Sequence, residues 1–295
     1  MFIRHGDRSN RTKARLKYVL DNLGREAFLA AVEIEWGSPL RRLPGADLAP
    51  RLPIDRQGHV GVHPQKQTGR HYLGVVLPVG RISAEQMRGL ADIADRFGSG
   101  TVRLTVWQNL LISDISTADL DDSVAAIRAI GLDVEATSLR RGLVACTGSA
   151  GCKFGAADTK RHALELVDYL EARFTFDGPL NIHLTGCRNS CAQHYIGDIG
   201  LAATKIEVDG GMDEGYHVYL GGGAGAAGTQ AIARVYAQSV SVAALFPLVE
   251  KLIGAWQGNR EGPAESFGAF CQRHDLVQLK ALAARVSVSA AAPDA

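Results

Sequence analysis

The sequence predicts an α+β chain, mixed α/β in texture, in which a small strand-and-helix unit precedes a second α/β domain that carries clustered cysteines. Three observations carry that expectation. Between residues 71 and 136, β-branched runs alternate with amphipathic helical patterns. Beyond Leu139 two cysteine pairs flank a helical pattern and adjoin strand-like runs. A composition of 46% hydrophobic and 21% charged residues is that of an ordinary globular protein.

Residues 11–36 read as helical. Leu16, Val19, Leu20 and Leu23 share one helical face, Gly24 supplies a stop, and a second short helix runs to about Trp36. Residues 37–69 are rich in Pro, Gly and polar side chains and read as linker and loop. Tyr72–Val79 is a strand candidate. Ser83 and Gln86 form a capping box that opens a helix whose apolar face is Met87, Leu90, Ile93, Ala94 and Phe97, and Gly98 ends it. Thr101–Ile112 reads as a strand, and Ser116 with Asp119 opens a helix that Gly131 closes. This order suggests a ferredoxin-like α/β unit with helices on one face of a sheet. Further on, a helix is expected over Thr159–Phe174, strands over Leu180–Leu184, Ile199–Val208 and Tyr216–Leu220, and helices over 228–238 and 243–256.

The length of 295 residues allows one or two domains, and a net charge of +1 gives no global signal for nucleic acid or an anionic membrane. No apolar run reaches the roughly 20 residues of a membrane span. Met1–Asn10 is too polar for a secretory signal, and Val286–Ala295 reads as a frayed tail. The expected compartment is the cytoplasm, where disulfides are rare, so clustered cysteines point first to metal or catalysis.

Four of the five cysteines form two pairs. Cys146 and Cys152 have five residues between them, and Cys187 and Cys191 have three, both in Gly-rich loops. Thiolates are soft ligands for iron–sulfur clusters and for zinc. Glycine lets the backbone approach a bulky cluster, and loop amides can donate hydrogen bonds to sulfur. A five-residue spacer is long for structural zinc, so the spacing favours a [4Fe–4S] cluster, with zinc or no metal as the alternatives. Cys271, near Phe267 and Phe270, reads as an apolar filler.

These residues resemble the siroheme-dependent nitrite and sulfite reductases. That family has C-x5-C followed by G-C-x-N-x-C, matched here by Cys146 to Cys152 and then Gly186-Cys187-Arg188-Asn189-Ser190-Cys191. Asp7–Tyr18, Arg103–Leu110 and Tyr219–Gly223 are similar to further family segments, so the resemblance runs from about residue 4 to 285. It implies a ferredoxin-like half-domain over 51–137 and a siroheme/[4Fe–4S]-binding α/β domain over 138–285. Residues 1–50 would then be a helical remnant of a preceding domain plus linker, and 286–295 the tail. By resemblance, Cys146, Cys152, Cys187 and Cys191 ligate the cluster, and Cys191 also bridges to the siroheme iron as its axial ligand. Arg103, Thr105, Gln108 and Asn109 become candidates for holding siroheme, with Arg188, Asn189 and Lys66 as weaker ones. The implied reaction is the six-electron reduction of nitrite to ammonia, as in assimilatory ferredoxin-dependent enzymes. Sulfite reduction, or a cluster-binding electron-transfer module without siroheme, are the alternatives, and a corrin-oxygenating relative shares the architecture. A ferredoxin or similar donor and a small anion, nitrite or sulfite, are the implied partners, with no nucleic acid and no membrane.

The chain departs from the family pattern in covering only its last part. The expectation is that the N-terminal half is supplied in cis or in trans, that this chain does not reduce nitrite alone, and that apolar surface is left exposed. The basic run Arg8, Arg11, Lys13, Arg15, Lys17 reads as a solvated helix face. Gly223, Gly225 and Gly228 formally fit a dinucleotide fingerprint but lack the acidic residue it needs downstream. His63 and His194 read as structural, and Lys153 and Lys160 as solvated surface lysines.

Overall fold

The computed structural model describes residues 1–10, 14–44, 55, 57–208, 210–223 and 231–288. Arg11, Lys13, Gly225, Gly228, residues 45–54 and 56, and residues 289–295 lie outside the described residues. The chain divides into two units, Met1–Arg51 and Leu52–Ala295.

Among the described residues the first unit holds three helices: α1 (Phe2–His5), α2 (Leu16–Leu23) and α3 (Arg25–Trp36). Gly24 separates the last two with φ 76°, a conformation glycine adopts without strain, so the sequence stop is where the chain turns. Within this unit Arg4 pairs with Glu35.

The second unit begins with an antiparallel sheet of β1 (Gly61–Pro64), β2 (Arg70–Val75), β3 (Val102–Leu104) and β4 (Leu110–Ser116) in the order β1-β2-β4-β3. Helices α4 (Ala84–Phe97) and α5 (Leu120–Ala129) cover one face. Leu73, Val75, Ile112, Ile115 and Ile127 are fully or almost fully buried between them. The Ser83–Gln86 capping box is present on both of its bonds. Two expectations are corrected here. Residues 101–112 form a hairpin rather than one strand: after Leu104 the chain folds back, and Gln108 takes φ 61° in the turn. The supposed loop 37–69 contains β1, whose short Gly-Val-His-Pro run pairs with β2; four residues are too few to show a period.

A four-residue helix, α6 (Ser138–Arg141), leads into the second sheet. That sheet runs β5 (Leu143–Ala145), β6 (Ile182–Thr185), β7 (Ile199–Val208), β8 (Gly211–Leu220) and β9 (Arg234–Ser241) in sequence order. The pairs β5–β6 and β6–β7 are parallel, and β7–β8 and β8–β9 antiparallel. Helix α7 (Thr159–Glu171) is the crossover between β5 and β6. Helices α8 (Val242–Asn259), α9 (Phe267–Arg273) and α10 (Leu276–Ala284) complete the layer and bury Trp256, Phe267 and Phe270. The helix expected at 228–238 is instead strand β9 from Arg234 onward. Val235, Tyr236 and Val240 suit a strand, and β8 offers an open edge that they pair with. Cys271 is fully buried in this core, as a filler would be, and burial pushes its thiol pKa up. Among the described residues no helix is long and apolar enough to cross a membrane.

Candidate cluster and cofactor site

The parallel pair β5–β6 brings the two cysteine loops together. Cys146 directly follows β5 and donates its amide N–H to Leu184 O at 3.0 Å, extending the pairing by one residue. Cys187 comes two residues after β6 ends. Both loops therefore leave from the carboxyl ends of neighbouring parallel strands, where open α/β sheets build their sites.

The backbone wraps tightly round Cys146. The Gly186 N–H donates to Cys146 Sγ at 3.0 Å. A Cβ on Gly186 would stand 3.3 Å from that sulfur and within 3.4 Å of the Cα atoms of Gly148 and Gly155. Gly148 has φ 66°, and a Cβ there would come 2.6 Å from Thr159 Oγ1. Thr159 Oγ1 itself donates to Cys146 O at 2.8 Å and lies 3.7 Å from Sγ. The glycines seen in the sequence are needed because no side chain fits.

Cys146, Cys152 and Cys187 are half-buried and Cys191 is exposed, and none is in a disulfide. Cys191 borders a cavity of about 400 Å³ with Val106, Trp107, Gln108, His183 and Gln193 among its other walls. Trp107 stacks on His59 at 5.4 Å between ring centroids and meets His183 edge-on at 5.8 Å.

The donor set is four unpaired thiols beside a sulfur-directed amide, which is the chemistry a [4Fe–4S] cluster uses. Thr185 Oγ1, next to Gly186, is buried with no hydrogen-bond partner among the described residues, so a donor is left over at the edge of the loop. Among the described residues no three His, Cys, Asp or Glu side chains converge as a single metal ion would require. A four-iron cluster asks for something different, since each thiolate takes its own iron. The residues fit the group.

The other candidates fall in several places. Gln108 shares the Cys191 cavity, but its amide is engaged: Nε2 donates to Ala145 O at 2.8 Å and Oε1 accepts from Ala145 N at 3.0 Å. Asn109 is buried and accepts from Leu77 N, and Thr105 Oγ1 accepts from Asn109 N, so both side chains hold the hairpin. Arg103 points to a separate cleft of about 300 Å³ with Tyr72 and Ser113, and it donates to Ser113 Oγ at 2.5 Å. Lys66, Arg188 and Asn189 are exposed. His63 stacks on Tyr72 at 5.0 Å. His194 is buried between Tyr195 and Tyr219 with Nδ1 on Ser190 Oγ, and burial lowers its pKa to about 4.

Lys160 corrects an expectation. It is not a solvated surface lysine but is half-buried, with Nζ donating to Val79 O and Ala145 O. The sequence reading also missed Trp107 and His183 as cavity walls, and His59 as the ring that stacks on Trp107. Only His183, flanked by Ile182 and Leu184 in a strand buried on both faces, left any sign that a polar ring was being kept inside.

Comparison with known proteins places the chain in a family. Residues 63–130 match the nitrite/sulfite reductase ferredoxin-like half domain, and residues 136–287 the nitrite and sulphite reductase 4Fe-4S domain. A ferredoxin–nitrite reductase from Synechococcus elongatus is 40% identical over 226 residues, covering 76% of this chain and 43% of that relative. A sulfite reductase [ferredoxin] 2 from Mycolicibacterium paratuberculosis is 38% identical over 232 residues, covering 76% of this chain and 41% of the relative. The solved structure of the Mycobacterium tuberculosis NirA protein superposes with TM-score 0.81 at 34% identity, covering 92% of this chain and 50% of NirA. The chain thus spans less than half the length of these two curated relatives.

Proposed function

The chain belongs to the nitrite and sulfite reductase family, and from that premise we propose that it forms the siroheme- and [4Fe–4S]-binding part of an assimilatory ferredoxin–nitrite reductase. The observation that carries this reading is the exposed thiol of Cys191 on the rim of an apolar-walled cavity, beside the loops that hold the other three thiols. Cys146, Cys152, Cys187 and Cys191 would hold the cluster, and Cys191, open to the cavity, would be the thiol placed to face siroheme. When bound, siroheme supplies an iron centre at which nitrite is reduced to ammonia with electrons relayed from the cluster.

The protein's own groups support this in distinct ways. The Gly186 N–H on Cys146 Sγ stabilises negative charge on that sulfur. Trp107 and His183 wall the cavity with ring faces and edges suited to a flat macrocycle. Gln108, Thr105 and Asn109 shape the hairpin that closes it. Arg188 and Lys66 are exposed cations able to pair with the carboxylates of the macrocycle, Asn189 is an exposed amide next to Arg188 along the chain, and Arg103 faces its own cleft with Ser113. A ferredoxin or similar carrier is the proposed donor, and the cytoplasm the proposed compartment.

The test is the visible spectrum of protein purified anaerobically from cells that make siroheme. A Soret band with a separate red chlorin band is expected, while an iron–sulfur shoulder alone would overturn the siroheme assignment. Sulfite is the second substrate reading, because a sulfite reductase is nearly as similar as the nitrite reductase. Turnover of each anion with a reduced low-potential donor separates the two.

A further inference from the structure

Lys160 is a cation in an unfavourable place. It is the second residue of α7, at the helix end where the backbone dipole is already positive. Its side chain turns inward onto two carbonyls, those of Val79 and Ala145. Among the described residues no carboxylate lies within ion-pair reach of it. Burial and the repulsion of Arg81 both hold its pKa below the ordinary lysine value. Partly buried charges without a partner are costly, so a lysine here needs an anion that the polypeptide does not supply.

The position indicates which anion. Ala145, whose carbonyl Lys160 holds at 3.2 Å, is bonded to Cys146. Thr159, at the start of the same helix, touches both the carbonyl and the sulfur of Cys146. The Lys160 charge and the positive end of α7 therefore act together on the first cysteine loop.

We propose that Lys160 is the built-in counter-ion of the cluster: its charge, pinned beside Cys146, offsets the negative charge of the bound [4Fe–4S] group and raises its reduction potential. The proposal rests on the cluster reading above. In the step it affects, the cluster takes one electron from an external one-electron donor and becomes one unit more negative. No bond breaks and no proton is taken up. A nearby half-buried cation favours the more negative state, because its field is only partly screened by solvent.

The experiment uses the full chain, reconstituted anaerobically with ferrous iron and sulfide, as wild type, Lys160→Met and Lys160→Arg. Cluster content is read from iron and sulfide analysis, and the midpoint from a potentiometric titration followed by electron paramagnetic resonance. Lys160→Met is expected to favour oxidation of the cluster by about tenfold, a shift of about 59 mV for a one-electron couple, with Lys160→Arg close to wild type. Urea unfolding gives a second readout with an opposite sign in the two states. Without the cluster, Lys160→Met is expected to be at least as stable as wild type; with it, less stable. A loaded Lys160→Met with an unchanged midpoint overturns the proposal. If Lys160→Met does not load, a cluster-free variant less stable than wild type overturns it as well, since the lysine is then a structural tie. Wild type that binds no iron and sulfide overturns the cluster reading, and the counter-ion role with it.

Discussion

The side-chain amide of Gln108 holds the backbone of Ala145 at both ends, donating to its carbonyl at 2.8 Å and accepting from its N–H at 3.0 Å. An amide side chain thus acts as one more strand edge beside β5, and it joins the β3–β4 hairpin to the residue that precedes Cys146. The turn that presents it requires φ 61° at Gln108, a conformation uncommon for a residue with a side chain. Replacing Gln108 by Ala removes both bonds and takes the acceptor from the buried Ala145 N–H, while Lys160 still donates to the carbonyl, so a loss of about 1–3 kcal/mol is expected. Urea unfolding of the cluster-free protein measures it. Gln108→Glu keeps one acceptor but sets a carboxylate against Ala145 O, and is expected to recover less than half of the loss.

The loop glycines give a second expectation. Gly148→Ala must place a side chain at φ 66° and 2.6 Å from Thr159 Oγ1, which costs about 1–3 kcal/mol. Gly178→Ala, with nothing within 4 Å of the added carbon, is the control and should change stability by less than about 0.5 kcal/mol. Equal losses at the two positions would mean that the crowding round Cys146 does not constrain the chain.

Serine at Cys146, Cys152 or Cys187 is expected to lower bound iron by at least about tenfold after reconstitution, since even losing a group that hydrogen-bonds a metal ligand costs about 10–100-fold in metal affinity. Cys271→Ser, deep in the core and away from the loops, should leave the iron content unchanged. Iron and sulfide analysis decides. Full cluster in any of the three loop variants would remove that cysteine from the ligand set.

His194 makes stability depend on pH in a defined window. Burial lowers its folded pKa to about 4, against 6.5 for the free side chain. Between those values the unfolded chain binds a proton that the folded chain refuses. The stabilisation is complete above pH 6.5 and is lost as pH falls toward 4, by up to about 3 kcal/mol for this group. Urea midpoints at pH 7.5 and pH 5 for wild type and His194→Gln test it. The variant should show the smaller drop, and parallel drops would show that other groups carry the acid sensitivity.

The sequence made some features plain and hid others for physical reasons. The α4 capping box and the Gly24 stop were legible because each is set by side chains a few residues apart. The four cysteines were legible because spacing and glycine content together are unusual. Strand β9 was misread as helix because what decides it is the open edge of β8, which is distant in sequence. The β3–β4 hairpin was misread because its turn depends on Gln108 adopting a positive φ, which no Gly or Asn announces. Lys160 was misread because surface lysines far outnumber inward ones, and only the carbonyls of Val79 and Ala145, 81 and 15 residues away, show that it turns in.

The parallel pairing of β5 and β6 also sets an order of assembly. The thiols of the first and second loops lie far apart along the chain and become neighbours only when both strands have paired through the α7 crossover. Pairing of that kind is slow, because the entropy of closing a long loop must be met before the contacts compensate for it. Iron and sulfide offered to the nascent chain meet isolated two-cysteine loops, which can be oxidised or can bind stray metal. A cell gains by keeping these thiols reduced until the sheet has closed, so the vulnerable interval of this protein's life is the one between synthesis and the docking of a three-residue strand.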